Sequence, residues 1–269
     1  MVTRVPESND RIVIKLGGRA LEATGALQQF AAEMARLPVG SVIVHGGGLE
    51  VSDWCSKLGV PPRFIDGLRV TDPVTLEIAV AVLAGLANKR LVALLRAAGV
   101  DAFGLSALDG GLAEVTLHDD ASRLGAVGQV VAIHSGLLET LLAEGRIPVL
   151  ASIGAANGQL LNLNADDLAA GLAGALQARA LVLLSDTPGL KLEGRVVQAV
   201  RASEVSGLLA HPDVRDGMRP KLRAAAAAIE SGARRAVIGA WTGPDALASL
   251  LAGEGGTTLS AQALEGSRG

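Results

Sequence analysis

Aromatic side chains are nearly missing from this 269-residue chain, which has three Phe, two Trp and no Tyr. Proteins that hold single-stranded nucleic acid stack bases on aromatics inside basic grooves. Here neither is available, since the net charge is −3 and the isoelectric point is near 5.8. Cysteine is just as scarce. The lone Cys55 cannot form an intrachain disulfide, and His45, His118, His134 and His211 show no metal-ligand spacing with it. Mean hydropathy is high, at +0.40, yet no run of about 18 uninterrupted apolar residues occurs. The most apolar long stretch, Leu76 to Leu95, contains Glu77, Asn88, Lys89 and Arg90. The opening MVTRVPESNDR lacks the apolar segment of a secretory signal. These absences predict a soluble cytoplasmic protein with no nucleic-acid or membrane partner and no redox or zinc chemistry.

Glycine, by contrast, is in excess. The chain has 34, where an average composition of about 7% would give roughly 19. Their placement follows the strands. RIVIKL (Arg11 to Leu16) is a β-branched run ending in Gly17-Gly18, and SVIVH (Ser41 to His45) ends in Gly46-Gly47-Gly48. Between them, Leu27, Phe30, Ala31, Met34 and Leu37 recur at helical spacing, with Pro38 and Gly40 as the stop. Strand, helix, strand with apolar strands predicts a βαβ unit and a parallel sheet. Further buried strands are expected at Arg146 to Ser152, Ala180 to Ser185 and Arg235 to Gly239. Helices are expected over Asp72 to Ala98, Leu137 to Ala143, Asp166 to Leu176 and Arg219 to Ser231, with Asn88-Lys89-Arg90 near a solvated side. Asp109-Gly110-Gly111 reads as one hairpin turn and Glu193-Gly194 as another.

Ligands of open α/β sheets bind at the carboxyl ends of the strands. Glycine loops there let backbone N–H groups face phosphate oxygens. The usual nucleotide signatures are nevertheless missing. None of the five lysines follows a glycine, so there is no Walker A motif, and no GxGxxG occurs. His45-Gly46-Gly47-Gly48 matches an esterase oxyanion loop, but no serine sits in a GxSxG elbow.

Seven blocks in order resemble the amino acid kinase superfamily and, within it, the N-acetylglutamate kinases. They are IVIKLGG (Ile12 to Gly18), VIVHGGG (Val42 to Gly48), GLRVT (Gly67 to Thr71), LNLNADDLAAGLA (Leu161 to Ala173), LLSDTPGL (Leu183 to Leu190), DGMRPKL (Asp216 to Leu222) and GTTL (Gly256 to Leu259). The resemblance implies a three-layer α/β/α fold with a mainly parallel open sheet in two lobes. Residues 1–178 would bind the acylated amino acid and dimerise; residues 179–269 would bind ATP, within one continuous domain. The implied activity is ATP-dependent phosphorylation of the side-chain carboxylate of N-acetyl-L-glutamate, in arginine biosynthesis.

Phosphoryl transfer between two anions needs fixed positive charge and in-line alignment. The resemblance gives Lys15 and Lys221 the transition-state charge and Asp166 their orientation. Lys15 also interrupts an apolar strand, where a cation needs a partner or a function. Arg69, able to grip a carboxylate in a bidentate pair, and Asn162 are implied to hold the substrate, with Gly47 and Gly48. Gly17 and Gly18 are implied to face the γ-phosphate, and Asp186, Thr187, Gly189, Leu190, Gly217 and Met218 to lie on the ATP side. No magnesium ligand stands out, so Mg2+ is expected to ride on ATP phosphates and water. His45 is expected to be structural. Only about ten residues precede the first strand, whereas arginine-inhibited hexamers of the family carry an added N-terminal helix. A homodimer without strong arginine feedback is therefore expected, and no regulatory protein partner is indicated. Rival expectations are a kinase acting on N-succinylglutamate or carrier-linked aminoadipate, and an inactive amino-acid sensor.

Overall fold

Runs of Val, Ile and Leu that can be buried on both faces become the centre of a sheet. In the computed structural model, which describes residues 10–17, 25–37, 40–215 and 217–262, eight such strands form one sheet. They are β1 (Ile12–Leu16), β2 (Ser41–His45), β5 (Ala102–Ser106), β8 (Ile147–Ala151), β11 (Ala180–Ser185), β14 (Ala199–Arg201), β15 (Arg235–Ala240) and β16 (Thr257–Ser260). Their spatial order is β14-β16-β15-β11-β1-β2-β8-β5. Only the β15–β16 pairing is antiparallel.

Strand alternation feeds two helical layers. Ile12, Ile14 and Leu16 of β1 join a core with α1 (Ala26–Met34), α4 (Asn88–Ala97) and α10 (Ala246–Ala252). Val13 points the other way, into a core with α6 (Gly136–Ala143), α7 (Ala165–Ala175) and α9 (Met218–Glu230). Gly174 of α7 is one reason these helices pack closely, because a Cβ there would collide with Ser231. The expected three-layer α/β/α architecture is therefore present.

A second sheet, in the order β6-β7-β10-β9, comprises β6 (Ala113–Leu117), β7 (Val127–Ile133), β9 (Ile153–Ala156) and β10 (Gln159–Leu163). Two hairpins, β3 (Phe64–Ile65) with β4 (Leu68–Arg69) and β12 (Lys191–Leu192) with β13 (Arg195–Val196), stand apart from both sheets. A smaller core joins α2 (Gly48–Lys57) to α3 (Pro73–Val80) through Val51, Cys55 and Ile78. The one-turn helices α5 (Ala121–Leu124) and α8 (Val205–Leu208) complete the layers.

The helix expected from Asp72 to Ala98 runs Pro73–Ala97. Asp72 caps it by accepting the Thr75 N–H, with proline in the first turn. A π-helical turn, Ala81–Ala87, interrupts it and shifts the register of the remaining turns. Asn88 consequently turns inward and is fully buried, not solvated as expected. By length and composition this helix could cross a membrane, but Leu83, Leu91 and Leu95 pack into the protein's core.

Of the two expected hairpin turns, one forms and one does not. Glu193-Gly194 does turn a hairpin, with both φ positive. Asp109-Gly110-Gly111 does not: it is a 3-10 turn between β5 and β6, which pair with β8 and β7. Asp109 Oδ2 instead accepts from the Ser106 N–H and hydroxyl, fixing the chain locally. Asp66-Gly67, at φ 50° and 84°, turns the β3–β4 hairpin. Pro38, expected to help stop the first helix, lies outside the described residues.

Candidate active site

The period of two along β1 places Lys15 on the same face as Val13, toward the start of α7. Asn164 caps that helix, its Oδ1 accepting from the N–H groups of Asp166 at 2.8 Å and Asp167 at 3.3 Å. The cap presents Asp166 to the end of β1. Asp166 Oδ1 lies 2.6 Å from Lys15 Nζ, and Oδ2 lies 3.1 Å from Lys221 Nζ in the first turns of α9. All three side chains are buried or nearly so, at 8%, 7% and 13% exposure for Lys15, Asp166 and Lys221.

Burial alone would push the Asp166 carboxyl up, but the Lys15 and Lys221 ammoniums beside it hold it below the usual carboxylate range. Burial pulls Lys15 down, and the charge of Asp166 opposes that pull. The group thus carries two cations on one anion, a net positive charge at low exposure where an additional anion is favoured.

Two cavities meet at this ion cluster. One, of about 230 Å³, is lined by Lys15 and Asp166 with Gly17, Gly47, Gly48, Arg69 and Asn162. The β3–β4 hairpin delivers Arg69, whose guanidinium stacks 4.7 Å over the Phe64 ring. Its Nη2 donates to Gly48 O and Ser52 Oγ. Its Nη1 is buried with no hydrogen-bond partner among the described residues, which leaves a charged donor open to an anion. Asn162 on β10 donates to Thr71 Oγ1 at 3.2 Å. The second cavity, of about 540 Å³, is lined by Asp186, Thr187, Gly189, Leu190, Gly217, Met218 and Lys221. The resemblance put the first six of these on the ATP side, and the fold brings them together with Lys221. Gly18 lies outside the described residues.

Known proteins resemble this chain in sequence and in fold. Residues 10–240 match the amino acid kinase family. The chain belongs to the amino acid kinase family. An acetylglutamate kinase of Methanopyrus kandleri is 45% identical to it over 84% of this chain and 93% of its own length. A solved Streptococcus mutans protein superposes with a TM-score of 0.77 at 31% identity, covering 94% of this chain and 99% of that one. The N-acetylglutamate synthase of Neisseria gonorrhoeae, solved with coenzyme A and N-acetyl-glutamate, gives 0.81 at 25% identity. It is matched over 95% of this chain but 60% of its own.

Several residues that shape this kinase's site escaped sequence reasoning. Ser52 shares Arg69 with Gly48, and only the α2 turn (Ser52 Oγ donating to Gly48 O at 2.9 Å) reveals it. Thr257 lies 67 residues from Leu190 yet accepts its N–H at 2.8 Å and donates to Val197 O at 2.6 Å. The GTTL block was a hint without an address. Asn164 was the legible one, since an Asn ahead of two Asp at a helix start is a cap signal.

Proposed function

We propose that this kinase transfers the γ-phosphoryl group of ATP to the side-chain carboxylate of N-acetyl-L-glutamate, giving N-acetyl-L-glutamyl 5-phosphate for arginine biosynthesis. One observation carries the reading: the Lys15–Asp166–Lys221 cluster stands where two cavities meet, and the smaller cavity contains a guanidinium with an unused buried donor. The relative from Methanopyrus kandleri, an acetylglutamate kinase by name, favours the acetylated substrate over its succinylated and carrier-linked rivals.

In this mechanism Arg69 takes the α-carboxylate through Nη1 and Asn162 adds an amide donor. The reacting carboxylate then faces Lys15. ATP occupies the larger cavity, where Lys191, Arg215 and Lys221 complement its phosphates. Magnesium, carried on those phosphates and on water, would supply further charge neutralisation. Lys15 and Lys221 approach the transferring group from the acceptor and donor sides, so both stabilise the equatorial oxygens. Asp166 keeps the two ammoniums from separating by mutual repulsion. Gly17 leaves room for Lys15, because a Cβ there would collide with its Nζ.

Residues 1–178 serve the acyl amino acid and 179–269 the nucleotide. A cytoplasmic homodimer fits the same reading. Among the described residues β5 is an edge strand of the central sheet and bears the exposed Phe103 at 43%, and Leu86 on the π-helical turn is a further exposed apolar side chain at 40%.

Steady-state ADP release with ATP and N-acetylglutamate, beside N-succinylglutamate and aminoadipate, tests the activity. The expected kcat/KM is highest for the acetylated substrate. No ADP release with any of the three would sink the enzyme reading.

A further inference from the structure

The alternation that sends Lys15 toward α7 sends His45 the opposite way. His45, paired in register with Leu16 at the end of β2, faces the layer that contains α4 and is 4% exposed. Its Nδ1 lies 2.9 Å from Gly46 O and its Nε2 lies 3.1 Å from Asn88 Nδ2. Asn88 is fully buried. Its Nδ2 also faces the carbonyls of Val149 at 2.9 Å and Leu105 at 3.3 Å, and its Oδ1 accepts from Lys89 Nζ at 3.1 Å. Two carbonyls on one side and an ammonium on the other leave a single orientation for that amide.

The amide nitrogen can only donate. His45 Nε2 must therefore accept, and the ring proton must sit on Nδ1, where it is donated to Gly46 O. Burial, ahead of the carbonyl of Gly46 that opposes it, pushes the imidazole's pKa down and keeps the ring neutral. The fold makes room for this arrangement at two places. The π-helical turn Ala81–Ala87 immediately precedes Asn88 and sets its inward direction. Gly104 of β5 lies against Asn88 Oδ1, where a Cβ would collide with it.

The consequence falls on the phosphate loop. The peptide joining Gly46 to Gly47 is trans, so its carbonyl and its N–H point in opposite directions. Gripping the Gly46 carbonyl on the α4 side turns the Gly47 N–H away from that side. Gly47 and Gly48 line the smaller cavity, and Val51 N–H to Gly47 O, at 2.8 Å, closes the first turn of α2 behind them. We propose that His45, held in its Nδ1–H form by Asn88, is a positioning residue that aims the Gly47 N–H at the transferring phosphoryl group. This role rests on the phosphotransfer reading above and extends it to an imidazole that lines neither of the two cavities assigned to the substrates.

The experiment compares wild type, His45→Leu and His45→Asn, with ATP and N-acetylglutamate as substrates and thermal midpoints measured alongside. An Asn amide puts an N–H donor where Nδ1 stands, whereas Leu puts none. His45→Leu is expected to lower kcat by about tenfold to a hundredfold, as misaimed groups do, with both KM values within about threefold. His45→Asn is expected to regain kcat to within about threefold of wild type. Equal kcat in wild type and His45→Leu, or equal losses in both variants that track their midpoints, would overturn the positioning role while leaving the activity intact. Side-chain nitrogen NMR of the wild-type ring gives a readout independent of turnover. A neutral ring protonated on Nδ1 is expected, and protonation on Nε2 would overturn the role even if His45→Leu failed to fold. An inactive wild type with the Nδ1–H ring would instead count against the phosphotransfer reading.

Discussion

Lys15 Nζ stands 2.6 Å from Asp166 Oδ1, although 151 positions separate the two residues in the chain. The other oxygen of the same carboxylate takes Lys221 at 3.1 Å. One buried anion therefore organises two cations, and it does so at the boundary between the cavity assigned to the acceptor and the one assigned to the nucleotide.

Replacing Lys15 by Ala should lower kcat by about 10²–10³, the scale of one preorganised charge or donor removed from a transition state. KM should change far less, and steady-state kinetics will show the split. Asp166→Ala should be worse for the fold than Lys15→Ala, because it strands two buried ammoniums. Removing one member of a buried ion pair costs roughly 3–5 kcal/mol, which urea unfolding will read. Unchanged kcat in Lys15→Ala would remove that residue from the mechanism.

Arg69→Lys should raise the KM for N-acetylglutamate by tenfold or more while leaving the KM for ATP within about twofold. Lysine keeps the charge but loses the planar fork. It cannot hold Gly48 O and Ser52 Oγ with one arm and leave a second arm for a carboxylate. An unaltered KM would place the substrate carboxylate elsewhere.

Gly189→Ala should raise the KM for ATP and destabilise the fold by about 1–3 kcal/mol, the usual scale of backbone strain. Gly189 has φ 144°, and an added Cβ would stand 2.6 Å from Thr257 Oγ1, the atom that accepts the Leu190 N–H. Thr257→Ser keeps that acceptor and should be mild by comparison. Calorimetric ATP binding will check both.

Asp167 should give the stability of the fold an unusual pH dependence. Burial, then the neighbouring Asp166 charge, pushes its carboxyl up to about 6, while His118 and Arg223 pull the other way. In the unfolded chain this group titrates near 4. Between those values the folded protein binds more protons than the unfolded chain, so this contribution is present in acid and is lost as pH rises through 6. Asp167 is exposed as a residue, and water screens part of the effect. Asp166 has the opposite sign, since its lowered value makes stability fall as acid protonates it. Urea midpoints from pH 4 to 8 should flatten in Asp167→Asn; an unchanged profile would exclude Asp167 as the source.

Five strands of the central sheet (β1, β2, β8, β11 and β15), its parallel character, the helices α1, α3 to α4, α6, α7 and α9, and the glycine loops at strand ends were readable in the sequence, because periodicity and turn chemistry are local. The second sheet, with its short and partly exposed strands, was not. Even the odd placement of Lys15 was visible, as a cation inside an apolar strand. Local signals failed where two outcomes share one signature. Asp66-Gly67 and Asp109-Gly110 are the same dipeptide, but only the first joins strands that pair with each other, since β5 is already committed to β8. Only the tertiary structure could decide the convergence of Lys15, Asp166 and Lys221, the unused arm of Arg69 and the inward turn of Asn88 beneath His45. Those features depend on which faces of distant elements meet when the layers close, and on the charge and burial that result from that meeting.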